Sequence, residues 1–429
     1  MLSKIKNLYH YLIPQVADVF YGRPGKKMIV VGVTGTKGKS TTCRLIASVL
    51  QAGGFKVGLM STVEFQIGTE RVLNDKKMSM LGRGQIQKML AQMAKAGCEY
   101  AVVETSSEGI LQHRHLGIHY DISVFTNLGT EHSERHGGFD NLKKDKAKLF
   151  SALTKDNNKI IAGKRVQKVI VANADDKHAE YFLNFPVDKK VTYGLVKSAN
   201  VQGKISSTSA LGTDFTVNDK NYHLNLAGEF NVPNALAAIA VGQSQGLNEK
   251  EIADGLASVK MLEGRMEFID EGQNFKVLVD YAHEPLSLTA LFTAMRGMTE
   301  PGGKVIGVVG SDGGGRDIGK RGKMGEIAGQ LCDFVVITDV NCFDEDPVEI
   351  AEMLAVGARR SGKIDGQNLF IIVDRRAGIK KAVELAGPGD VLAITAKGTE
   401  PVICVAGGKK IPWDDRTVAR EILKEKFKQ

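Results

Sequence analysis

The chain has 429 residues, 43% hydrophobic and 25% charged, the proportions of an ordinary globular protein, which excludes disordered, collagen-like and coiled-coil classes. At roughly 100–200 residues per domain this length predicts two or three domains, so a small stapled scaffold is excluded as well. Lys and Arg outnumber Asp and Glu by 57 to 49, a net charge of +8, which favours anionic partners such as phosphates, nucleic acid or a membrane surface.

Residues 1–27 begin basic, but His10, Pro14 and Asp18 interrupt the apolar stretch and no small-residue cleavage site follows, so export is not expected. Leu8, Leu12, Val16 and Phe20 recur at helical spacing; we expect a short helix packed by that face on the body of the protein rather than resting on a membrane. No uncharged apolar run reaches the ~20 residues a membrane span requires. The five cysteines, Cys43, Cys98, Cys332, Cys342 and Cys404, are scattered without a CxxC pair, which points to a reducing cytoplasm and no disulfide framework.

From Met28 onward, short β-branched runs (MIVVGV, YAVVET, DISVFTNL, KVIVANAD) alternate with amphipathic stretches. That alternation predicts a parallel sheet with helices on both faces. The polar stretch at 195–222 reads as hairpins or loops at one edge, after which FKVLVDYA, KVIGVVG, FVVITD, LFIIVD and VLAITA restart the pattern, with a helix predicted over Pro347–Ser361. The expected fold class is α/β: a helical segment over 1–27, a P-loop domain with a mainly parallel sheet over 28–263, and a Rossmann-like domain over 264–429, joined by a short hinge.

The first strand runs into V-T-G-T-K-G-K-S-T, residues 33–41. Gly35 and Gly38 permit a tight turn whose N–H groups, with the following helix N-terminus, form an anion site. Thr36, Lys37, Gly38, Lys39, Ser40 and Thr41 are the candidate nucleotide contacts, with Lys39 reaching the terminal phosphates and the Ser40 hydroxyl on Mg²⁺. The strict G-x-x-x-x-G-K-S spacing is missed, because Val33 occupies the first glycine's place. A second metal carboxylate belongs at a neighbouring strand end, and Glu104, closing Tyr100–Val103, supplies it. His132 lies just past the next strand at the same edge, where spacing alone leaves a structural role and a ligand role equally open.

Together these motifs resemble the Mur ligase family, ATP-dependent amide-forming enzymes of cell-wall assembly, most closely its UDP-N-acetylmuramyl-tripeptide synthetase branch. The residues that carry the likeness are T-G-T-K-G-K-S-T at 34–41, E-T-S-S-E-G at 104–109, Q-H-R at 112–114, F-T-N-L-G-T-E-H at 125–132 and K-A-K-L-F at 146–150. Further along stand N-A-D-D at 173–176, G-E-F-N-V-P-N at 228–234, G-R-M-E at 264–267, D-Y-A-H at 280–283, G-G-R-D-I-G-K-R at 314–321 and A-K-G-T-E at 396–400.

The resemblance implies that a substrate carboxylate attacks the γ-phosphate of ATP and that an amino group then displaces phosphate from the acyl phosphate. It implies two Mg²⁺ sites: Ser40 and Glu104 as ligands of the first, His132 of the second, and Lys146 as a carbamylated lysine that carries CO₂ and behaves as a carboxylate. Lys39, Glu104, His132 and Lys146 are therefore the expected catalytic residues. Asn231 and Asn234 resemble the family's adenine-side contacts, and Arg265 and Asp280 its phosphate and ribose contacts, so that closure about the hinge would assemble the ATP site. Ser106, Ser107, Gln112 and Arg114 match muramyl-peptide contacts, and Asn341 and Glu400 the amino-acid side. The implied partners are small molecules, a muramyl-peptide acceptor and an amino acid, with no nucleic acid and no stable membrane insertion, for a cytoplasmic monomer.

The pattern departs from the family in three places. Only about 27 residues precede the first strand, where the family normally has a domain that grips the UDP end of its substrate. Val340-Asn341-Cys342-Phe343 stands where the diaminopimelate-adding branch has D-N-P-R, and Glu108 and Thr399 stand where relatives often have His. Two other readings follow: a similar ligase for a lipid-linked or non-UDP acceptor, and a catalytically silent ATP-binding regulatory module.

Overall fold

The computed structural model describes residues 2–76, 78–82, 84–129, 133–155, 159–209, 211–315 and 317–427. The chain divides into two compact units, Met1–Lys260 and Met261–Gln429.

In the first unit, α1 (Leu2–Phe20) leads into β1 (Ile29–Thr34), α2 (Lys39–Ala52), β2 (Val57–Met60), β3 (Glu64–Ile67), β4 (Glu70–Leu73), α3 (Gln85–Lys95), β5 (Tyr100–Glu104), α4 (Ser107–Leu111) and β6 (Ile122–Phe125). There follow α5 (Phe139–Lys155), the short pair β7 (Ile160–Ile161) and β8 (Lys164–Arg165), β9 (Val169–Asn173), α6 (Ala179–Leu183), β10 (Lys189–Gly194), β11 (Val201–Ser209), β12 (Gly212–Val217), β13 (Lys220–Leu224), α7 (Val232–Ser244) and α8 (Glu249–Ala257). Among the described residues one eleven-stranded sheet runs β13-β12-β11-β10-β9-β6-β1-β5-β2-β3-β4. Its middle is parallel, with Val31 opposite Val102 on one side and Ile122 on the other.

The central strands read as continuous apolar runs because both faces are covered. Along β1, Val31 and Val33 enter the core built with α2, α7 and α8, while Val30 enters the opposite core with residues of α3 and α5. The polar stretch at 195–222 forms the antiparallel β11-β12-β13 edge, where one face is solvated and the apolar alternation weakens accordingly. All five cysteines are buried.

The expected packing of α1 is corrected. Leu8, Leu12, Val16 and Phe20 are solvent-exposed, while Pro14 and Asp18 on the opposite side of the helix are buried. The reason is polar and steric: Asp18 Oδ2 lies 2.9 Å from His119 Nε2, Arg23 N–H donates to the Asp18 carbonyl, and Gly117 packs so close that an added Cβ would sit 2.7 Å from the Asp18 Cβ. These contacts fix which side of the helix faces inward.

The second unit contains β14 (Glu267–Ile269), β15 (Lys276–Val279), α9 (Pro285–Arg296), β16 (Val305–Val309), α10 (Lys320–Leu331), β17 (Phe334–Ile337), α11 (Pro347–Arg360), β18 (Leu369–Ile371), α12 (Arg375–Leu385), β19 (Val391–Ile394), β20 (Val402–Cys404), β21 (Lys410–Pro412) and α13 (Asp415–Phe427). Its six-stranded sheet runs β14-β15-β19-β16-β17-β18. Only the β14 edge is antiparallel. This is a doubly wound α/β unit, in which ligands are expected beyond the carboxyl ends of the strands.

Candidate active site

The turn between β1 and α2 is shaped by what packs beneath it. Gly38 has φ +79°, and a Cβ there would meet Asn234 Oδ1 at 2.2 Å, while at Gly35 it would meet Thr126 Oγ1 at 1.9 Å. Only glycine fits both places. The loop is further held from the end of β6: Thr126 Oγ1 donates to the Lys37 carbonyl at 2.7 Å, Lys37 N–H donates to Asn127 Oδ1 at 2.8 Å, and Gly129 N–H donates to Thr36 Oγ1 at 2.8 Å. The result is a rigid concave turn at the N-terminus of α2, suited to phosphate oxygens.

Ser40, at the start of α2, donates its hydroxyl proton to Glu104 Oε2 at 2.8 Å. Glu104 closes β5, next to β1 in the sheet. Both side chains are buried, and both offer the hard oxygens that Mg²⁺ prefers, so this donor set fits the metal the sequence pattern implied. Thr62, just past β2, binds the same carboxylate, donating from its N–H to Oε2 at 2.7 Å and from its hydroxyl to Oε1 at 2.8 Å.

Lys39 Nζ donates to the Thr36 carbonyl at 2.9 Å, keeping the cation over its own loop. Lys146, on α5, is buried and donates to the Gly35 carbonyl at 2.8 Å. Its neighbour Asp145 accepts from Lys148 Nζ at 2.6 Å and pairs with the buried ring of His136. Burial alone would raise the Asp145 carboxyl; the bonds from Lys148 and His136 outweigh it and hold the group below the usual carboxylate range.

Asn231 and Asn234 stand at the start of α7. Asn234 Oδ1 accepts from the Thr42 hydroxyl at 3.1 Å and its amide donates to Asn231 Oδ1 at 3.2 Å, while the Asn231 amide donates to the Ala227 carbonyl at 2.8 Å. The pair therefore buttresses the phosphate turn through Gly38 and Thr42. Ser106 caps α4, accepting from Gly109 N–H at 3.2 Å, and Ser107 begins that helix. Arg114 donates to Gln112 Oε1 and to the Met80 carbonyl. Burial, partly offset by Glu108, lowers its guanidinium from the ordinary arginine value.

In the first unit the structure thus brings Thr36–Thr41, Glu104, Lys146, Asn231 and Asn234 to one turn, with Ser106 and Ser107 immediately after β5. His132 lies outside the described residues. Thr62 was missed from sequence, and Thr126 and Asn127, quoted within the 125–132 motif, were given no role there. The available signal was position, since each lies within two residues of the end of a strand that feeds the same sheet edge.

In the second unit, Asp280 follows β15 and accepts from Met266 N–H at 2.8 Å and Ala282 N–H at 2.6 Å. The Arg265 guanidinium carbon lies 4.6 Å from the Tyr281 ring centroid, a cation–π contact. Asn341 and Glu400 meet directly: Asn341 Nδ2 donates to Glu400 Oε2 at 3.1 Å and to Asp312 Oδ1 at 2.8 Å, and its Oδ1 accepts from Lys397 Nζ at 3.2 Å and Cys404 N–H at 2.9 Å.

Comparison with known proteins accounts for both units. The Mur ligase middle domain matches residues 33–242, and the Mur ligase glutamate ligase domain matches residues 264–398. The chain belongs to the Mur ligase family. It is accordingly an ATP-dependent ligase that forms a C–N bond, produces ADP and adds an amino acid in peptidoglycan precursor synthesis.

Among its relatives is a UDP-N-acetylmuramyl-tripeptide synthetase of Roseiflexus sp. (strain RS-1), 41% identical over 96% of this chain and 81% of that protein. A protein of the same name from Treponema denticola is 38% identical over 95% of this chain and 79% of its own length. Among solved structures, a UDP-N-acetylmuramoyl-L-alanyl-D-glutamate–2,6-diaminopimelate ligase superposes with a TM-score of 0.62 at 29% identity, covering 93% of this chain and 79% of that one. No described helix is long and apolar enough to cross a membrane.

Proposed function

We propose that this Mur ligase acts in the cytoplasm as a monomer and joins an amino acid to the carboxylate of a muramyl-peptide acceptor. The observation that carries the reading is the Ser40–Glu104 pair at the mouth of the phosphate turn: two hard oxygen donors, 2.8 Å apart, at a helix N-terminus. The names of the relatives supply the acceptor class.

In the first step an acceptor carboxylate oxygen bonds to the γ-phosphorus of ATP as the bond to the ADP oxygen breaks. In the second, the amine nitrogen bonds to the acyl carbon, phosphate leaves with the C–O electron pair, and the nitrogen loses a proton. Negative charge gathers at the transferred phosphoryl group, so fixed cations and N–H dipoles give the catalysis. Lys39 and the N–H groups of Gly38–Thr41 bind the phosphates, while the Thr36 and Lys37 N–H groups stay on Asn127. Ser40 and Glu104 would hold one Mg²⁺ and His132 and Lys146 a second, and metal bound there would supply positive charge to neutralise the phosphates. Lys146 as an ammonium would repel such a cation; as a carbamate formed with CO₂ it offers oxygens instead. Ser106, Ser107, Gln112 and Arg114 take the acceptor, Arg114 through the planar fork that suits a carboxylate or diphosphate. Asn231 and Asn234 take the adenine side, Arg265 and Asp280 contact the nucleotide, and Asn341 and Glu400 hold the amino acid.

The test supplies ATP, Mg²⁺ and bicarbonate with a panel of acceptors, each with and without its UDP group, and a panel of amino acids. Phosphate release and a product mass increased by one amino-acid residue are expected only when acceptor and amino acid are both present. ATP binding without product for any acceptor overturns the reading. Equal turnover without UDP assigns the acceptor to the non-UDP class.

A further inference from the structure

We propose that α1 seats this protein in the plane of an anionic membrane surface. Among the described side chains of the helix seven large apolar ones face solvent; Tyr11, 45% exposed, stands apart beside His113, and the other six share one side: Leu8 is 57% exposed, Tyr9 46%, Leu12 45%, Val16 62%, Val19 62% and Phe20 79%. At 3.6 residues per turn these six fall within an arc of about 120°, a continuous stripe rather than scattered exposed residues.

The orientation of the stripe is fixed. The opposite side of α1 is held by the Asp18–His119 pair at 2.9 Å and by the edge-on contact of Tyr11 with His113, ring centroids 5.5 Å apart. Rotating the stripe inward would break the first of these and carry the Asp18 carboxylate out to solvent, away from His119.

Charge and area select the occupant. In sequence, residues 1–27 contain Lys4, Lys6, Arg23, Lys26 and Lys27 against a single acid, Asp18. That acid is buried on the inward side, while Arg23 and Lys27, just past the helix, are exposed. An apolar stripe with basic residues at its end and no outward acid suits acyl chains beneath anionic headgroups. Residues 8–20 rise over about 20 Å; a stripe roughly 10 Å wide then covers on the order of 200 Å², well short of the ~800 Å² per partner of a standard protein interface. A bilayer needs no matching partner surface, and in-plane burial of about 5–10 Å takes up the whole stripe. The helix does not cross: no described helix qualifies as a span.

The experiment is co-sedimentation of the full chain with vesicles of phosphatidylcholine alone or with roughly one-third phosphatidylglycerol. Binding to the anionic vesicles is expected to exceed binding to the neutral ones at least about tenfold and to weaken at high salt. The double variant Val16→Asp/Phe20→Asp should lose it about tenfold or more, and Arg23→Glu/Lys27→Glu, which leaves the stripe intact, should lose it as well. Both variants should keep wild-type melting temperature and nucleotide affinity, which separates lost docking from misfolding. No preference for anionic vesicles overturns the proposal. So does a wild-type dimer in sedimentation velocity that Val16→Asp/Phe20→Asp dissociates, because the stripe would then belong to a second copy. The result is independent of which acceptor the enzyme uses.

Discussion

Thr62 holds Glu104 at both carboxylate oxygens, through its N–H at 2.7 Å and its hydroxyl at 2.8 Å, and the same hydroxyl lies 2.7 Å from Ser79 Oγ. A carboxylate so oriented points its remaining lone pairs toward Ser40 and the phosphate turn. Removing the hydroxyl leaves one oxygen free to rotate, and outer contacts of this kind change metal affinity about 10–100-fold. Thr62→Ala should therefore raise the Mg²⁺ concentration for half-maximal turnover at least about tenfold, while Thr62→Ser stays near wild type. A Mg²⁺ titration at saturating ATP measures both; equal Mg²⁺ dependence in the two variants would sink the idea.

Gly38 permits the close approach of Asn234. Any Cβ at 2.2 Å from Asn234 Oδ1 must displace that side chain, and the backbone at φ +79° is strained for any residue with a Cβ. Moving Asn234 also disturbs its bond to Thr42 at the start of α2. Gly38→Ala should cost about 1–3 kcal/mol of stability and weaken binding of a non-hydrolysable ATP analogue more than about tenfold. Calorimetric titration checks the affinity, and chemical denaturation checks the stability.

Lys146 reaches the Gly35 carbonyl from α5 at 2.8 Å, so its end atom is already at the phosphate turn. If it works as a carbamate, Lys146→Ala should abolish ligation, by on the order of 10²–10³-fold in kcat, while ATP-analogue binding persists. A small carboxylic acid should restore part of the rate, and removing CO₂ should slow the wild type. Wild-type turnover in Lys146→Ala would remove the assignment.

How far the site could be read from sequence follows from where its parts lie in the chain. The glycine-rich turn from Gly35 to Thr41 is local, and β1 reads as a strand because both its faces are buried. Thr62, Thr126 and Asn127 arrive from other strands, so their meeting depends on sheet order, which pairs β1 with β5 and β6. The strands β2 to β4 were not foreseen: they are only four residues each, and β4 is exposed along its whole length, leaving little apolar alternation to read. For α1 the apolar stripe was legible and its direction was not. Hydrophobicity predicted the inward face, whereas the Asp18 pair with a residue 101 positions away decides it. In the second unit the strands were legible for the same reason as β1, while the Asp312–Asn341–Glu400 contact joins three loops and had no local signature.

His115 sets an acid limit on stability. Burial, followed by the positive charges of Lys148, His113 and Lys155, lowers its pKa from the ordinary 6.5 to about 4, and among the described residues its Nδ1 has no hydrogen-bond partner. The folded protein keeps the ring neutral while the unfolded chain takes up a proton. Stability due to this group is therefore intact above pH 6.5 and lost as pH falls from there toward 4. His115→Gln should reduce that acid-side loss by on the order of 3 kcal/mol, measured as the pH dependence of urea unfolding. An unchanged pH profile would show that the unfolded chain holds the ring in the same state.

Asn341 separates two carboxylates. Its amide nitrogen donates to Asp312 and to Glu400, while its carbonyl oxygen accepts from Lys397 and Cys404, so the side chain works as a neutral bridge with every polar edge used. Asn341→Asp keeps the shape and the acceptor side but sets a third carboxylate within about 3 Å of the other two, where like charges repel by several kcal/mol at an effective dielectric of ~20. One of the three must take a proton or move. The variant should raise the KM for the amino acid at least about tenfold at neutral pH, with the KM for ATP unchanged, and lowering the pH should recover part of the loss as a proton is supplied. Asn341→Ser, which removes the donor without adding charge, should show a smaller KM increase with no pH dependence. Steady-state kinetics across pH 6 to 8.5, roughly the range over which a raised carboxyl titrates, separate the two; matching profiles would mean that Asn341 acts through packing and not through charge.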